Sequence, residues 1–585
     1  MVYSNQSRLG ELLLNQPARD VLRKHFPSIL DQPYLLSFLK TNTLEEFVNG
    51  MRRSIDLPDH AVQRIVDELA SVPVPTGPVD RLPSPPSDTY ESADTAIGSA
   101  AVQAAATASK WGVYEVSLSG PTHGNPFVDV ELHADFRCGE RSIRQRGFYD
   151  GDGQYKIRFM PDAEGEWSFR TASNARSLDS IEGRFQCGPA KPADHGPVRV
   201  NHTFHFAYED GTAYLPIGTT CYAWTHQSGE LEEQTLRSLR ESPFNKVRMC
   251  VFPKAYLYNL DEPPRYPFEG SLETGWDFER FNPSFFRHLE RRIAQLGELG
   301  IEADLILFHP YDIWDFSEMP KSADDRYLKY VTARLAAYAN VWWSLANEFD
   351  LMWAKTEEDW ERFASIVAEN DPYGHLMSIH NCRTFYDYGK PWVTHCSIQR
   401  IDVYKTAEAT NEWREQWGKP IVIDECAYEG DIDQGWGNIT GEEMTRRFWE
   451  GAIRGGYAGH GETYLNPEEV LWWSKGGKLT GTSPERIAFL RRIMEESPGG
   501  VLEPLPSDWD LPCAGKSDEY YLYYFGFNRP RFRTFRHKIG IRYRVEVIDT
   551  WNMTIETLPD PYEGSFRIEL PARPFIAVRL TKWTS

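Results

Sequence analysis

Between residues 196 and 498, short unbroken apolar runs alternate with amphipathic stretches, and many of the runs stop on a polar residue. No other feature restricts the fold of this chain as much. In "VWWSLANEFD" (341–350) the apolar residues end on Asn347-Glu348. A continuous apolar run is the signature of a strand buried on both faces, as in a parallel sheet covered by helices. In such a strand Ser344, Ala346 and Glu348 share one face, and Trp343 and Leu345 share the other. The other runs are "AYLPIGTT", "NKVRMCVF", "EADLILFHP", "LMSIHN", "VTHCSI", "PIVIDE" and "YAGHGETY". Helical patterns such as "PSFFRHLERRIAQLGELG", "DRYLKYVTARLAAYA", "EDWERFASIVAEN" and "EEMTRRFWEGAIR" separate most of them. Eight β/α units in about 300 residues predict a (β/α)8 TIM barrel, an α/β fold whose active site lies at the strand C-termini. A doubly wound open sheet is the alternative. To bind a nucleotide it needs a glycine-rich first turn, and the chain has neither GxGxxG nor GxxxxGK[ST].

On either side the pattern changes. Residues 1–72 carry apolar residues at helical spacing, with Thr43 and Asp59 at expected helix starts, and predict a small helical module. Residues 73–108, rich in Pro, Ser, Thr and Ala, read as a linker. Strict alternation in "FVDVELHADF", "YKIRFMP" and "EWSFRT", with turns at "YDGDGQ" and "DAEGE", predicts an antiparallel β-sandwich over 109–195. The same style returns over 499–585 in "EYYLYYFGF", "YRVEVIDTW" and "GSFRIELP", predicting a second sandwich. The helical module reads as a separate unit, and a homo-oligomer contact is one use such a module has.

A chain of 585 residues exceeds one domain, and its 41% hydrophobic content is ample for several cores. The net charge of −22 argues against nucleic acid and against anionic membrane surfaces, both of which need clustered Lys and Arg. No stretch approaches the roughly 20 apolar residues of a membrane span. The first residues lack a basic segment followed by an apolar one, and the eight cysteines form no CxxC pair. Both features lead us to expect free thiols in a reducing compartment, the cytoplasm, and no disulfide framework or zinc site. The 19 tryptophans serve either large cores or stacking on sugar rings.

The strand ends hold a polar set that a purely structural barrel does not need. Arg248 lies in the second strand, His309 ends the third, Asn347-Glu348 the fourth, His380-Asn381 the fifth, Glu425 the seventh and His460 the eighth. Two carboxylates facing each other across a cleft are the requirement of glycoside hydrolysis, one attacking the anomeric carbon and the other protonating the departing oxygen. Burial and like charge raise the pKa of one of them and keep it protonated. Arg248 is placed to hold the nucleophile ionised, and Asn347 to bond the sugar 2-hydroxyl. Tyr222, Trp224 and Trp472 or Trp473 are candidate sugar-stacking residues, only one of the adjacent tryptophans being able to face the cleft. Two other readings stay open. A hydrolytic metal site would use His309, His380 and His460, and a barrel without catalysis would only bind carbohydrate. The paired glutamates need no metal or other cofactor.

Asn-Glu after the fourth strand, Glu after the seventh, Arg on the second and His on the third resemble the clan A glycoside hydrolases, retaining TIM-barrel enzymes. More narrowly, "FAYEDGTAYLPIGTTCYAW", "VWWSLANEFD" and "PIVIDECAYEG" resemble the apiosidase-like barrel family. "FYDGDGQYKIRFMPDAEGEWSFRT" is similar to the β-sandwich that often precedes that barrel, and "YRVEVIDTWNMTI" to the one that often follows it. The resemblance covers about residues 109–585. It implies Glu348 as acid/base, Glu425 as nucleophile, and a carbohydrate substrate. Together with the expected cytoplasmic location, it leads to short oligosaccharides or glycosides derived from plant polysaccharides, cleaved from an end. The helical module lies outside the resemblance.

Overall fold

The computed structural model describes residues 2–30, 32–52, 55, 57–74, 87 and 90–584. All eight apolar runs form parallel strands of one sheet, numbered here β1 (Gly218–Thr220), β2 (Lys246–Cys250), β3 (Glu302–Phe308), β4 (Val341–Ala346), β5 (Met377–Ser378), β6 (Cys396–Gln399), β7 (Ile421–Glu425) and β8 (Tyr457–His460). Their spatial order, 5-4-3-2-1-8-7-6, is sequential around a ring. A single parallel bridge, His380 to Ser397, joins β5 to β6, so the barrel is nearly closed. Helices Gly229–Glu241, Pro283–Glu298, Lys321–Leu335, Glu357–Asn370, Thr410–Trp417, Gly441–Ala452 and Ser483–Glu495 connect or follow the strands. The expectation of eight complete β/α units fails at one place. Among the described residues the β5–β6 connection has no helix, and β5 is only two residues long.

The strand alternation predicted for β4 is the one adopted. Ser344 points inward and accepts from Arg248, while Trp343, on the other face, donates to Asp371 beside the helix Glu357–Asn370. Trp342, on the inner face, plugs the bottom of the barrel against Phe206 and Tyr214, whose strands His205–Tyr208 and Ala213–Tyr214 lie before β1.

Glu302, at the first position of β3, is buried beside the same tryptophan, whose Nε1–H donates to it at 3.1 Å. Burial pushes this carboxyl up to about 8. The folded barrel therefore keeps the Glu302 proton at neutral pH, whereas the unfolded chain loses it near pH 4.3 or so. Stability that is fully present below that value is lost, by about 1.4 kcal/mol per pH unit, as pH rises to about 8. Glu302→Gln copies the neutral acid and is expected to remove this slope. Its unfolding temperature should exceed that of the wild type at pH 8, the gap closing towards pH 5. A gap of the same size at both pH values would show that Glu302 is not the titrating group.

Before the barrel, a four-stranded and a five-stranded sheet pack together through Phe159 on Phe136 (ring centroids 4.0 Å apart) and Tyr114 on Phe185 (3.8 Å). Arg158, from the four-stranded sheet, reaches into the barrel wall and bonds Glu290 at 2.9 Å. After the barrel, a larger antiparallel sheet and the pair Phe532–Arg536 with Ser565–Glu569 share one apolar cluster that includes Phe535, Val545, Ile568 and Val578.

The linker expectation needs correction. Residues 75–86, 88 and 89 lie outside the described residues, but from Tyr90 onward the chain is folded. Tyr90 stacks on His123, Glu91 accepts from the Ser177 amide and hydroxyl, and Ala101–Ala104 pairs with Tyr114–Ser119. That alanine-rich edge strand is exposed along its whole length and so shows no apolar alternation in the sequence. Six helices occupy the N-terminal module among its described residues, around a core of its own that includes Leu12, Leu22, Phe47 and Ile65. Thr43 caps the fifth of them: its Oγ1 accepts from the Glu46 amide and its own amide donates to the Glu46 carboxylate.

Candidate active site

Glu348 lies two residues beyond the end of β4, and Glu425 ends β7. The Glu348 backbone is left-handed, with φ 53° and ψ 54°. That conformation is unfavourable for a residue with a Cβ and is held only where the surroundings demand it. Here the Asn347 amide bonds Phe308 O on one side and the Phe349 amide bonds His380 O on the other, so the chain turns over the mouth between β3 and β5.

Both carboxylates line a cavity of about 200 Å³ at the C-terminal mouth of the barrel, together with Asn347 and Tyr222. Tyr222 donates its hydroxyl proton to Glu425 Oε1, and Tyr311 donates to Glu348 Oε2. Asn347 also bonds Glu348 Oε2, through Nδ2 at 3.3 Å. Burial first, then the charge of Glu425, push Glu348 up to about 7, against the opposing pull of the Tyr311 hydrogen bond and Lys254. Glu425 is also raised by burial, but Tyr222 and the two cations Lys254 and Arg248 act to keep it ionised. The environments of the two acids are therefore unequal. Glu348 is suited to hold a proton near neutral pH, and Glu425 to carry the charge.

A buried charge network lies beneath the cavity. Lys246 Nζ bonds Asp304 at 2.6 Å and Asp424 at 2.8 Å. Arg248 adds Asp304 at 3.3 Å and turns its other amino group to Asn347 Oδ1 at 3.1 Å. The lysine and arginine hold Asp424 well below the usual carboxylate range. Strict alternation would send either Asp424 or Glu425 outward. A register irregularity between β6 and β7, across Ser397/Gln399, lets both face the interior.

Of the residues chosen from the sequence, Glu348, Glu425, Asn347 and Tyr222 come together at the cavity. Arg248 does not line it and acts through Asn347 and the network. His380 is buried with Nε2 3.9 Å from Glu425 Oε1, and neither ring nitrogen has a hydrogen-bond partner among the described residues. His309 is turned away from the cavity: one nitrogen bonds Phe252 O at 3.3 Å, and burial lowers the ring to about 3, so it is a neutral strut. His460 lies on the far side of β1, with Nδ1 on Thr219 Oγ1 at 2.9 Å and its ring stacked on Phe244. The three histidines do not gather as a ligand set. Among the described residues, the one group with metal-ligating atoms close together is Glu429, His460 and Glu462. Trp224 and Trp472 are also corrected. Trp224 is core, its Nε1–H directed at the Met249 sulfur, and Trp472 donates to Thr219 Oγ1. Trp473, the next residue, faces the cavity.

Reading only the last residue of each strand missed Lys254, Tyr311, Cys382 and Tyr428, all on the loops beyond, and Gln399, which ends β6, was not among the residues chosen. Lys254 is buried, its Nζ 3.7 Å from the centre of the Tyr222 ring and 4.3 Å from that of Tyr311. A lysine, a tyrosine and a second tyrosine three or four residues after β2, β3 and β7 were legible signals. Phe38, which also lines the cavity, belongs to the helical module and had none.

The model of the family "Apiosidase-like, catalytic domain" matches residues 201–495, and two domains of unknown function, DUF5060 and DUF5605, match 107–174 and 509–581. Among solved structures, a putative glycoside hydrolase from Bacteroides vulgatus ATCC 8482 is similar at 42% identity and a TM-score of 0.78, over 82% of this chain and 100% of that one. A family 5 glycoside hydrolase from the same organism matches over 67% of this chain and 94% of its own, with a TM-score of 0.54. At its 15% identity that likeness concerns the fold alone. No curated protein matches the chain. With the catalytic domain spanning half of the sequence and a solved relative matched over its full length, this chain belongs to the apiosidase-like family and is a glycosidase.

Proposed function

We propose that the protein is a retaining glycosidase that removes a terminal sugar from short oligosaccharides or glycosides by double displacement. In the first step the Glu425 carboxylate attacks the anomeric carbon while Glu348 passes its proton to the departing glycosidic oxygen. In the second, Glu348, now ionised, takes a proton from water, the resulting hydroxide attacks the anomeric carbon, and Glu425 leaves. The observation that carries this reading is the pair of unlike glutamates in one buried cavity, Glu348 raised to about 7 and Glu425 attended by Lys254 and Arg248. Asn347, held from below by Arg248 and beside Glu348, is suited to bond a sugar hydroxyl. The cavity, about 200 Å³, is smaller than the roughly 300–1,000 Å³ of sites for drug-sized ligands, which favours a single sugar residue over a polymer. Trp473 and Trp436 supply apolar faces for its ring.

Proton NMR of the first sugar released from an aryl glycoside tests the stereochemistry. Retention of the substrate's anomeric configuration is expected, followed by slow mutarotation. First appearance of the opposite anomer would require a water between the two carboxylates and defeat the double displacement.

A further inference from the structure

The helical module is not a bystander to the cavity. Phe38, near the end of helix Pro33–Leu39, sits edge-on to the rings of Tyr256 and Tyr311, at centroid distances of 5.7 and 5.5 Å. Tyr311 is the group that donates to Glu348, so two contacts lead from the module to the proposed acid. We propose that the helical module completes the sugar pocket, with Phe38 as a specificity-determining wall that closes the barrel mouth to internal chain segments and positions Tyr311. This rests on the glycosidase reading of the cavity given above.

The docking of the module supports such a role, because it lands on the two loops that carry the site. Lys40 pairs with Glu318, in the loop after β3 that also bears Tyr311. Glu318 accepts in turn from Trp353 Nε1 at 3.0 Å, and Trp353 lies in the loop that follows Glu348. Against that indole packs Gly10, in the first helix of the module. A Cβ placed on Gly10 would come within 2.3 Å of Trp353 Cδ2, so the close approach needs glycine there. The Arg8 guanidinium reaches the Trp353 carbonyl at 3.4 Å. The module is thus clamped by apolar contact and ion pair at points away from the cavity, while Phe38, alone among its described residues, enters the lining. The family and domain matches start at residue 107, so this wall is supplied by chain that none of them describes. A glycan passing through the mouth would meet the Phe38 ring, whereas a terminal residue beneath it would be covered by it.

The full-length protein with Phe38→Ala, and separately with Gly10→Leu, tests the proposal. Phe38→Ala opens the wall. Gly10→Leu lifts the module off Trp353 without touching the cavity. Both are expected to lower kcat/KM on aryl monoglycosides at least tenfold, mainly through KM, since a missing hydrocarbon contact in a specificity pocket is worth about 10–200-fold. Both should also begin to release internal fragments from longer oligosaccharides, and Phe38→Leu, which keeps most of the bulk, should restore the terminal pattern. A second readout needs no turnover. Cys382 lines the cavity and is half-buried, as is Cys138 in the preceding sheet, while the other six cysteines are buried. Alkylation mapped by peptide mass spectrometry should accelerate at Cys382 in both variants and stay constant at Cys138. Wild-type KM, product pattern and Cys382 labelling in both variants would overturn the proposal. Should the wild-type chain hydrolyse no glycoside at all, the proposed function fails, and the wall stands or falls on Cys382 labelling alone.

Discussion

Glu425→Ala is expected to turn over no glycoside, because nothing else in the cavity takes the place of the covalent nucleophile. Glu348→Ala is expected to fail selectively. Its proton matters when the leaving group is poor, and general acid help of this kind is worth about 10²–10⁴-fold. The variant should therefore lose that factor on natural glycosides yet still form the glycosyl-enzyme from a dinitrophenyl glycoside. The intermediate then accumulates, since no base remains to activate water. Azide, which needs no base, should restore turnover and give a glycosyl azide with the configuration of the substrate. The pH profile carries the same signature. Glu348, raised to about 7, is protonated below that pH and loses its proton above it. Wild-type kcat/KM on poor leaving groups should fall as pH rises through about 7, and Glu348→Ala should lack this limb on the dinitrophenyl substrate. If azide instead rescues Glu425→Ala with an inverted product while Glu348→Ala stays inactive, the two roles are exchanged. Near-full activity in both variants would move the active site elsewhere.

Lys246→Met is expected to be the most destabilising single change in the barrel. Lys246 and Arg248 together neutralise Asp304 and Asp424, and all four are buried. Taking one cation away leaves two carboxylates on one guanidinium in a site without water access. Removing one partner of a buried pair typically costs about 3–5 kcal/mol, because the charge left behind is unpaired. Methionine roughly matches the lysine stem, so the loss reports charge more than volume. Urea unfolding at neutral pH should show it as a lowered first midpoint. The deficit should shrink in acid, where Asp424, no longer held low by the lysine, takes up a proton and the excess negative charge disappears. A deficit below about 1 kcal/mol, or one independent of pH, would mean that the network contributes little beyond packing.

Phe38 and Glu348 mark the limits of what was legible in the sequence. The eight strands could be located because each must bury both faces and so reads as an apolar run, and because strand ends in a barrel are where polar residues gather. That local logic singled out Glu348, Glu425, Asn347 and Tyr222, which the structure brings to one cavity. It could not decide between Trp472 and Trp473, since a short helix over Trp472–Lys475 sets which ring turns inward. Nor could it place His309 and His460, whose rings are held by Phe252 O and Thr219 Oγ1 from other strands. Asp424 was hidden for a related reason, since a register irregularity, not alternation, turns it towards Lys246. The chain's own local chemistry thus determined which segments become strands and which acids stand at their ends. Which of those side chains share a cavity, how unequal the two glutamates are, and that Phe38 arrives from about 300 residues away to cover them were decided only by tertiary packing. Burial, field and contact at the cavity are sums over residues distant in sequence, and no window of sequence contains them.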